Sequence, residues 1–370
     1  GFGITDLHAG IIAAGVILYY LNETEHAQLD HITHIHRHDR ELQMWMDPFT
    51  IRNLELIYPN APQATTLLQV MDHTKTPMGG RMLKRWLVAP LTDLKAIEKR
   101  LSVVTDFYQH SNRKQRMQEL LQSVGDLERL MAKVATGRIG PRAINQLKKT
   151  LLLIPKVTEI ISQSDQEALR SLAEGLDSCS ACCQLITDRL SEEAPTQLGK
   201  GDTIASGYSD ELDDYRTIAR DGKKILDEML ERETEKTGIS SLKISFNNVF
   251  GYYIEVRNTH KDKVPETWIR KQTLVNAERY ITEELKAYET KIIGAEDQIA
   301  QLEQRLFQEL VKGLIPYIEN IQNNARILAE LDCLCGFASL AKARNYNCPT
   351  LNEGDSLTIV QGRHPVIEYQ

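Results

Sequence analysis

Apolar residues recur at helical spacing over two long stretches of the chain. In the second stretch the intervals alternate between four and three residues, which is the heptad pattern of a helix that packs lengthwise on another helix. Its apolar positions are Ile281, Leu285, Tyr288, Ile292, Ala295, Ile299, Leu302 and Leu306. The first stretch keeps this register, with a break at Gly222, through Leu212, Tyr215, Ala219, Leu226 and Met229.

Residues 238–280, between these stretches, follow a period of two. Leu242 and Ile244 alternate with polar residues, residues 249–256 are rich in aromatic and β-branched side chains, and residues 268–274 alternate again. This pattern predicts β-strands. We expect the aromatic residues to form the core of a small sheet rather than to stack on nucleic-acid bases, because a small sheet needs large side chains. They are Phe246, Phe250, Tyr252, Tyr253 and Trp268.

Two helices that lead into and out of one small sheet should pack antiparallel. At about 1.5 Å per residue, a helix from residue 281 to about residue 312 would be roughly 48 Å long. Asn276 is a plausible N-cap for this helix, and Pro316 should bend or break it. The predicted fold is therefore mainly α with a small β insertion: long antiparallel helices carry a small antiparallel sheet at their tip, on a helical core.

The remaining sequence is predominantly helical from residue 42 to about residue 201. An Asp-Pro pair at 47–48 and a Thr-Pro pair at 76–77 each place a capping residue before a proline, which predicts a helix start. On the second of these helices, Arg81, Lys84 and Arg85 form a face that we expect to be solvated or ion-paired, with phosphate binding as the alternative. Residues 192–207 are predicted to be a polar linker, and residues 356–360 and 365–367 to be strands of a further α/β domain.

Charge and cysteine usage limit the possible functions. The 370-residue chain has a net charge of −7, whereas residues 240–279 carry seven positive and four negative side chains. Nucleic-acid binding is therefore expected only at a local patch. The six cysteines favour a reducing compartment, so we expect a cytoplasmic protein. Cys179, Cys182, Cys183, Cys333 and Cys335 are expected to be small, buried thiols, and Cys348 lies apart from them in the sequence.

No residue pattern predicts covalent chemistry. The chain lacks a phosphate loop, a His-Glu-x-x-His sequence and a Gly-x-Ser-x-Gly sequence. His34, His36 and His38 share one face of a predicted strand, but no carboxylate or thiolate completes a zinc site at typical spacing. We expect an exposed strand face there, and no metal.

The basic sheet instead predicts contacts with phosphates. Lys243, Lys261, Lys263, Arg270 and Lys271 can neutralise phosphate charge. Polar side chains of the same segment can donate hydrogen bonds to phosphate oxygens, and such contacts do not read base sequence. These polar residues are Asn247, Asn248, Asn258, Gln272, Thr273 and Asn276.

Six ordered motifs resemble the bacterial MutS family of DNA mismatch-recognition proteins over essentially the whole chain. They are T-P-M-G-x-R-x-L-x-x-W-L-x-x-P from residue 76, V-G-D-L-E-R from 124, G-Y-x-x-E-L-D from 207, F-G-Y-Y-I from 250, Q-T-L-x-N-A-E-R-Y from 272 and G-R-H-P from 362. The resemblance implies the end of a connector domain at residues 1–45, a core and lever domain at 46–222 and 283–345, a DNA clamp at 223–282 and the start of an ATPase domain at 346–370.

The resemblance also implies a role for the chain, which starts in apolar sequence without Met and is expected to be a piece of a longer protein. Arg270, Lys271 and Asn276 would hold the backbone of double-stranded DNA, while Val275 stands where relatives can have lysine. This piece would be neither mismatch-specific nor an enzyme, and would bind no cofactor. The full-length protein would be a DNA-dependent ATPase that binds ATP and Mg²⁺, forms a homodimer and recruits downstream mismatch-repair proteins, without a membrane partner.

Two other functions remain open at this stage. The heptad seam could recruit a protein partner, with the sheet as a docking tip and no DNA binding; a dimer through the seam would then form as concentration rises. An enzyme with an unfamiliar site is the third hypothesis, and the absence of a recognisable catalytic motif makes it the weakest.

Overall fold

The computed structural model describes residues 7–24, 32, 43–247 and 251–369. The chain forms two compact units, Gly1–Ile186 with Leu310–Gln370, and Thr187–Glu309. His34, His36, His38, Asn248 and Phe250 lie outside the described residues, so the predictions for them stay predictions.

The first unit is built from helices. Those that precede the second unit are α1 (His8–Glu23), α2 (Pro48–Asn53), α3 (Leu67–Met71), α4 (Pro77–Val88), α5 (Leu94–Gln109), α6 (Ser111–Gln122), α7 (Leu127–Ala135), α8 (Pro141–Leu151), α9 (Ile154–Ser162), α10 (Glu167–Glu174) and α11 (Ser180–Arg189). The second unit contains α12 (Asp210–Thr237), β1 (Lys243–Asn247), β2 (Gly251–Arg257), β3 (Ile269–Thr273), β4 (Ala277–Ile281) and most of α13 (Glu283–Leu314). The chain ends with α14 (Ile318–Arg344) and α15 (Pro365–Tyr369).

The core of the first unit surrounds α14, which packs against α3, α4, α5, α6 and α7. A helix with apolar residues on all sides is expected at such a central position. Cys333 and Cys335 on this helix are buried, as are the three cysteines at 179, 182 and 183, which confirms their predicted packing role, while Cys348 is exposed. Burial raises the pKa of the Cys182 thiol to about 12, so it stays protonated at neutral pH.

The two predicted caps are present. Asp47 accepts hydrogen bonds from the backbone N–H groups of Phe49 and Thr50, and the Thr76 hydroxyl accepts one from Gly79 at 2.9 Å. On α4, Arg81 donates to Asp126 and Glu128, with Nη2–oxygen distances of 2.7 and 2.6 Å. The expected ion pairing of this basic face is thus confirmed at Arg81.

In the second unit, α12 and α13 pack antiparallel. Residues early in α12 contact residues late in α13, and the reverse holds at the other end: Arg216 pairs with Glu303, and Arg232 with Glu284. The heptad prediction for α13 is confirmed by its buried residues Leu285, Ile292, Ala295, Leu302 and Leu306. Helix α12 runs without interruption through Gly222, where a Cβ would lie 2.4 Å from the Cγ1 atom of Ile292. The missing apolar residue in the pattern therefore marks close helix packing, not a break in the helix.

The four strands form one antiparallel sheet in the order β1-β2-β4-β3. Apolar residues of one sheet face join the ends of α12 and α13 in a single cluster, which includes Leu226, Ile254, Trp268, Tyr280 and Leu285. The mainly α fold with a small antiparallel sheet is thus confirmed. The prediction of a core role is correct for Tyr253 and Trp268 but wrong for Phe246, which is 49% exposed.

Two further predictions about this part of the chain need correction. Asn276 does not cap α13, because residues 277–281 form β4 and the Thr282 hydroxyl accepts the hydrogen bond from Leu285 at the helix start. The segment 192–207 is not simply a polar linker, since Thr203 and Ile204 are buried. The Thr203 N–H donates to Glu303 at 2.9 Å, and Glu303 also accepts from Arg216.

The last residues differ from the predicted strands. Residues 356–360 are not in a strand, and residues 365–367 belong to helix α15. By contrast, α13 ends at Leu314 and is followed by a short 3-10 helix, Ile315–Tyr317, which confirms the break expected at Pro316. None of the helices in the described ranges has the length and apolarity that crossing a bilayer requires.

Candidate nucleic-acid interface

The β3–β4 hairpin carries three of the predicted DNA contacts. A bulge interrupts the pairing between Arg270 and Gln272, so that Lys271 is the extra residue of β3, and a bulge redirects side chains relative to the regular pleat. Arg270, Lys271 and Asn276 are all exposed. The condition for backbone contact, that these side chains do not pack inward, is therefore met.

The turn of this hairpin is held by a neighbouring segment. The Leu274 N–H donates to the Ala277 carbonyl at 2.8 Å, which closes the turn. Asn258 donates from its side chain to the carbonyl of Val275 at 2.9 Å and from its backbone to that of Asn276 at 3.1 Å. Asn258 begins a 3-10 helix, Asn258–Lys263. The turn and this helix are thus fixed together, with the Val275 side chain 92% exposed at the tip.

Lys261 and Lys263 lie on the same 3-10 helix and are exposed. They belong with the hairpin residues, since Asn258 joins the two segments. Lys243 is exposed and Asn247 is half-buried, but both lie on β1, which is the opposite edge of the sheet from β3. The hairpin and the 3-10 helix joined to its turn therefore carry five of the predicted residues, Lys261, Lys263, Arg270, Lys271 and Asn276, and the other two described residues lie on the opposite edge of the sheet.

A buried carboxylate lies within the group of five. Glu278 on β4 is 8% exposed; its Oε1 atom is 3.3 Å from Arg270 Nη1, and the Tyr280 hydroxyl donates to its Oε2 atom. The Tyr280 hydrogen bond, Arg270 and the charge of Lys261 lower the pKa of Glu278 from 4.5. Burial and the neighbouring carboxylate raise the pKa of Tyr280 to about 12. At neutral pH the carboxylate is therefore ionised and the phenol is protonated.

The positive residue Arg279 is engaged within the sheet. Its guanidinium carbon lies 4.3 Å from the centre of the Tyr253 ring, its Nε atom is 3.4 Å from Glu255, and its Nη1 atom donates to Gln272 at 2.8 Å. By contrast, the exposed lysines form no ion pair with any described residue. These lysines are Lys243, Lys261, Lys263 and Lys271.

Sequence reasoning missed the role of Glu278, because residues 276–279 were interpreted as a helix start. The alternation of buried positions in a strand would have placed Glu278 next to the core, where a carboxylate needs a charged or hydrogen-bonding partner. Within the described residues, no three His, Cys, Asp or Glu side chains are grouped as ligands for a metal ion. What the hairpin offers chemically is a set of cations and one amide, which suits phosphate oxygens.

Comparison with known proteins identifies the family. The profile of the family described as MutS domain III matches residues 49–338. The chain belongs to the MutS family. Among curated relatives called DNA mismatch repair protein MutS, those of Christiangramia forsetii and Flavobacterium psychrophilum are 55% and 54% identical over all 370 residues. That of Parabacteroides distasonis is 50% identical over the same length. The chain spans 42–43% of the length of these MutS proteins.

Proposed function

We propose that this chain is the part of a DNA mismatch-recognition protein that holds the sugar-phosphate backbone of double-stranded DNA without sequence preference. The observation that carries the proposal is the β3–β4 hairpin, on which Arg270, Lys271 and Asn276 are exposed together and next to Lys261 and Lys263. Four cations and an amide donor on this hairpin and the 3-10 helix joined to its turn suit a row of phosphates.

The relatives supply the wider context of this proposal. Their printed names describe DNA mismatch repair, and we propose the same process for the full-length protein. The domain boundaries follow the resemblance: connector to residue 45, core and lever at 46–222 and 283–345, clamp at 223–282, and ATPase domain from 346. ATP and Mg²⁺ binding, a homodimer, downstream repair partners and a cytoplasmic location are proposed for the full-length protein.

The protein-interaction alternative is less well supported. A seam that recruits another chain needs apolar positions that are open to that chain. Leu285 and Ile292 of α13 instead share one cluster with Leu226 and Met229 of α12, so this part of the heptad pattern is used within the second unit. Sedimentation of the 370-residue chain should give a single species over a hundredfold concentration range; a dimer that forms as the concentration rises would support the alternative.

The proposal is tested by binding to a labelled duplex. Fluorescence anisotropy should show sequence-independent binding that weakens steeply as salt is added, because about 0.9 counterions are released for each phosphate contact. The Arg270→Glu/Lys271→Glu variant should bind at least tenfold more weakly at low salt. Arg220→Glu/Lys224→Glu is the matched control, since both residues lie on α12 and have 77% exposed side chains. Equal loss in both variants, or no loss in the first, would refute the proposed interface.

A further inference from the structure

We propose that Glu278 is an electrostatic brake on this interface: its carboxylate competes with a DNA phosphate for the Arg270 guanidinium and so weakens the hold on DNA. The inference rests on the proposed function, because it concerns how tightly the same hairpin binds phosphate. It concerns a residue that donates nothing to DNA and acts only through Arg270.

The geometry favours competition over simple support. Arg270 has a 60% exposed side chain, so it is open to solvent on one side, while Glu278 with an 11% exposed side chain holds it on the other. The single contact of 3.3 Å is longer than a good charge-assisted hydrogen bond, which is about 2.8 Å. A phosphate that reaches the exposed side must share or take over this guanidinium.

The negative charge exceeds what the fold needs at this position. The Tyr280 hydroxyl requires an acceptor, and a neutral amide oxygen at residue 278 also accepts a hydrogen bond, although a weaker one. Instead the chain places a full charge beside Arg270, and the positive charge of Lys261 acts on it as well. Because these groups keep Glu278 ionised at neutral pH, the competition is present whenever the protein meets DNA.

Weaker binding of phosphate by Arg270 affects how long the hairpin stays at one site on DNA. Contacts to phosphates carry no sequence information and let a protein slide along the duplex. Each additional tight phosphate contact slows release, so one cation whose charge is partly neutralised shortens the residence time of the hairpin at any one phosphate. The brake therefore favours movement along DNA over fixed attachment.

The test is the sign of the affinity change in Glu278→Gln. Because Gln keeps an acceptor for Tyr280 while freeing Arg270, the 370-residue chain should bind a labelled duplex about three- to tenfold more tightly at low salt, with a salt slope that is steeper by less than about 0.9, since Arg270 already contributes part of one contact. Glu255→Gln is the matched control: it removes a carboxylate from the same sheet, but its partner Arg279 has only a 19% exposed side chain. It should change affinity less than twofold, as expected for a general charge effect.

A double-mutant cycle assigns the effect to Arg270. In an Arg270→Gln background, Glu278→Gln should change affinity little, because the group that is held back is gone. Glu278→Met gives a second neutral variant of similar length, and circular dichroism with urea unfolding checks that each variant is folded. At least one of the two variants, Glu278→Gln and Glu278→Met, must be folded for the comparison with the unaltered chain. Each folded variant should bind duplex DNA more tightly than the unaltered chain does.

The outcomes separate the two proposals. If the unaltered chain does not bind duplex DNA, the proposed function fails and the brake with it. If the unaltered chain binds with the expected salt dependence and the folded Glu278 variants bind equally or more weakly, the brake is wrong and Glu278 is a positioning residue, while the proposed function stands. Tighter binding that persists in the Arg270→Gln background would also overturn the brake.

Discussion

Two helical glycines of the second unit differ in the space around them, one being closely packed and the other open. Replacing each by alanine should therefore affect stability differently. A Cβ at Gly222 on α12 would lie 2.4 and 2.9 Å from the Cγ1 and Cδ1 atoms of Ile292, which is 1% exposed. A Cβ at Gly294 on α13 would meet no atom within 4 Å. The methyl group of Gly222→Ala should therefore push α12 away from α13 or displace the Ile292 side chain. Gly294→Ala should change only the helix propensity.

The two effects can be given magnitudes. Replacing glycine by alanine within a helix stabilises by about 1 kcal/mol, and this gain is common to both sites. At Gly222 the new methyl group requires either a shift of the helices by about 1 Å or a rotation of Ile292 away from its rotamer, and overpacking of this kind costs about 1–3 kcal/mol. Gly294→Ala should thus stabilise by about 1 kcal/mol, and Gly222→Ala should be about 1–3 kcal/mol less stable than Gly294→Ala.

Trp268 allows the second unit to be followed separately. The chain has three tryptophans, and Trp45→Phe/Trp86→Phe leaves only Trp268, which lies in the apolar cluster of the sheet. Urea unfolding monitored by its fluorescence gives the free energy of unfolding for each variant. The reasoning would be refuted if Gly222→Ala stabilised the unit as much as Gly294→Ala.

A compensating change identifies the contact. Ile292→Ala removes the Cγ1 and Cδ1 atoms and leaves Cβ at 3.7 Å from the added methyl group, which is an ordinary contact distance. In that background Gly222→Ala should become stabilising, which corresponds to a coupling free energy of about 1–3 kcal/mol between the two positions. A coupling near zero would show that the close approach of the helices is absorbed elsewhere.

Three further predictions concern single side chains. Val275→Lys should tighten duplex binding and steepen the salt slope by about 0.9, since a cation is added at a 92% exposed turn position; Val275→Glu should weaken binding in the same anisotropy assay. Glu303→Leu should cost about 1–3 kcal/mol in urea unfolding, because Arg216, with a 14% exposed side chain, loses its closest carboxylate but keeps Asp213 at 3.2 Å and Asp202 at 3.5 Å, and Glu303→Met/Arg216→Met should recover much of this loss. Asp332→Ala should destabilise the first unit by about 1–3 kcal/mol for each donor of Lys75 and Thr76 left unpaired. Burial raises the pKa of Asp332 above 3.8, so its ionisation lowers stability as the pH rises from below 3.8 through the folded pKa, and Asp332→Asn should remove this part of the pH dependence.

Periodicity predicted the elements that bury one regular face. The α13 seam is an example, because residues spaced at four and three fall on one side of a helix and bury together. Gly222 shows the limit of this reasoning. A periodicity analysis registers a missing apolar residue, whereas in the folded unit the Ile292 side chain of the facing helix occupies the space. Whether a glycine makes room for a side chain of a neighbouring helix depends on how the two helices pack. The sequence around that glycine does not contain this information.

The start of α13 shows a second limit. The segment from Asn276 to Arg279 has an N-cap residue followed by alanine and glutamate, which is a local helix signal. Pairing of β4 with both β2 and β3 outweighs that signal, because a central strand satisfies its backbone hydrogen bonds on two sides. Because the segment reads locally as a helix start, the sequence does not indicate that Glu278 is buried. The sequence therefore predicts the individual cations of the interface but not the carboxylate that lies among them.

The ion pairs of the cations near the hairpin indicate which of them contribute most to DNA affinity in the unaltered chain, here called the baseline hold on DNA. Arg270 and Arg279 each contact a carboxylate, as suits the planar, multiply donating guanidinium. Lys261, Lys263 and Lys271 form no ion pair with any described residue, and a hydrated ammonium group suits loose contact with phosphates. If the baseline hold comes from Lys261, Lys263 and Lys271, changing any one of them to Gln should flatten the salt slope by about 0.9. Arg270→Gln should flatten it by less, because Glu278 already neutralises part of its charge. Equal losses from Arg270→Gln and Lys271→Gln would mean that the guanidinium is fully available to DNA, and the difference between the two kinds of cation would have no functional consequence.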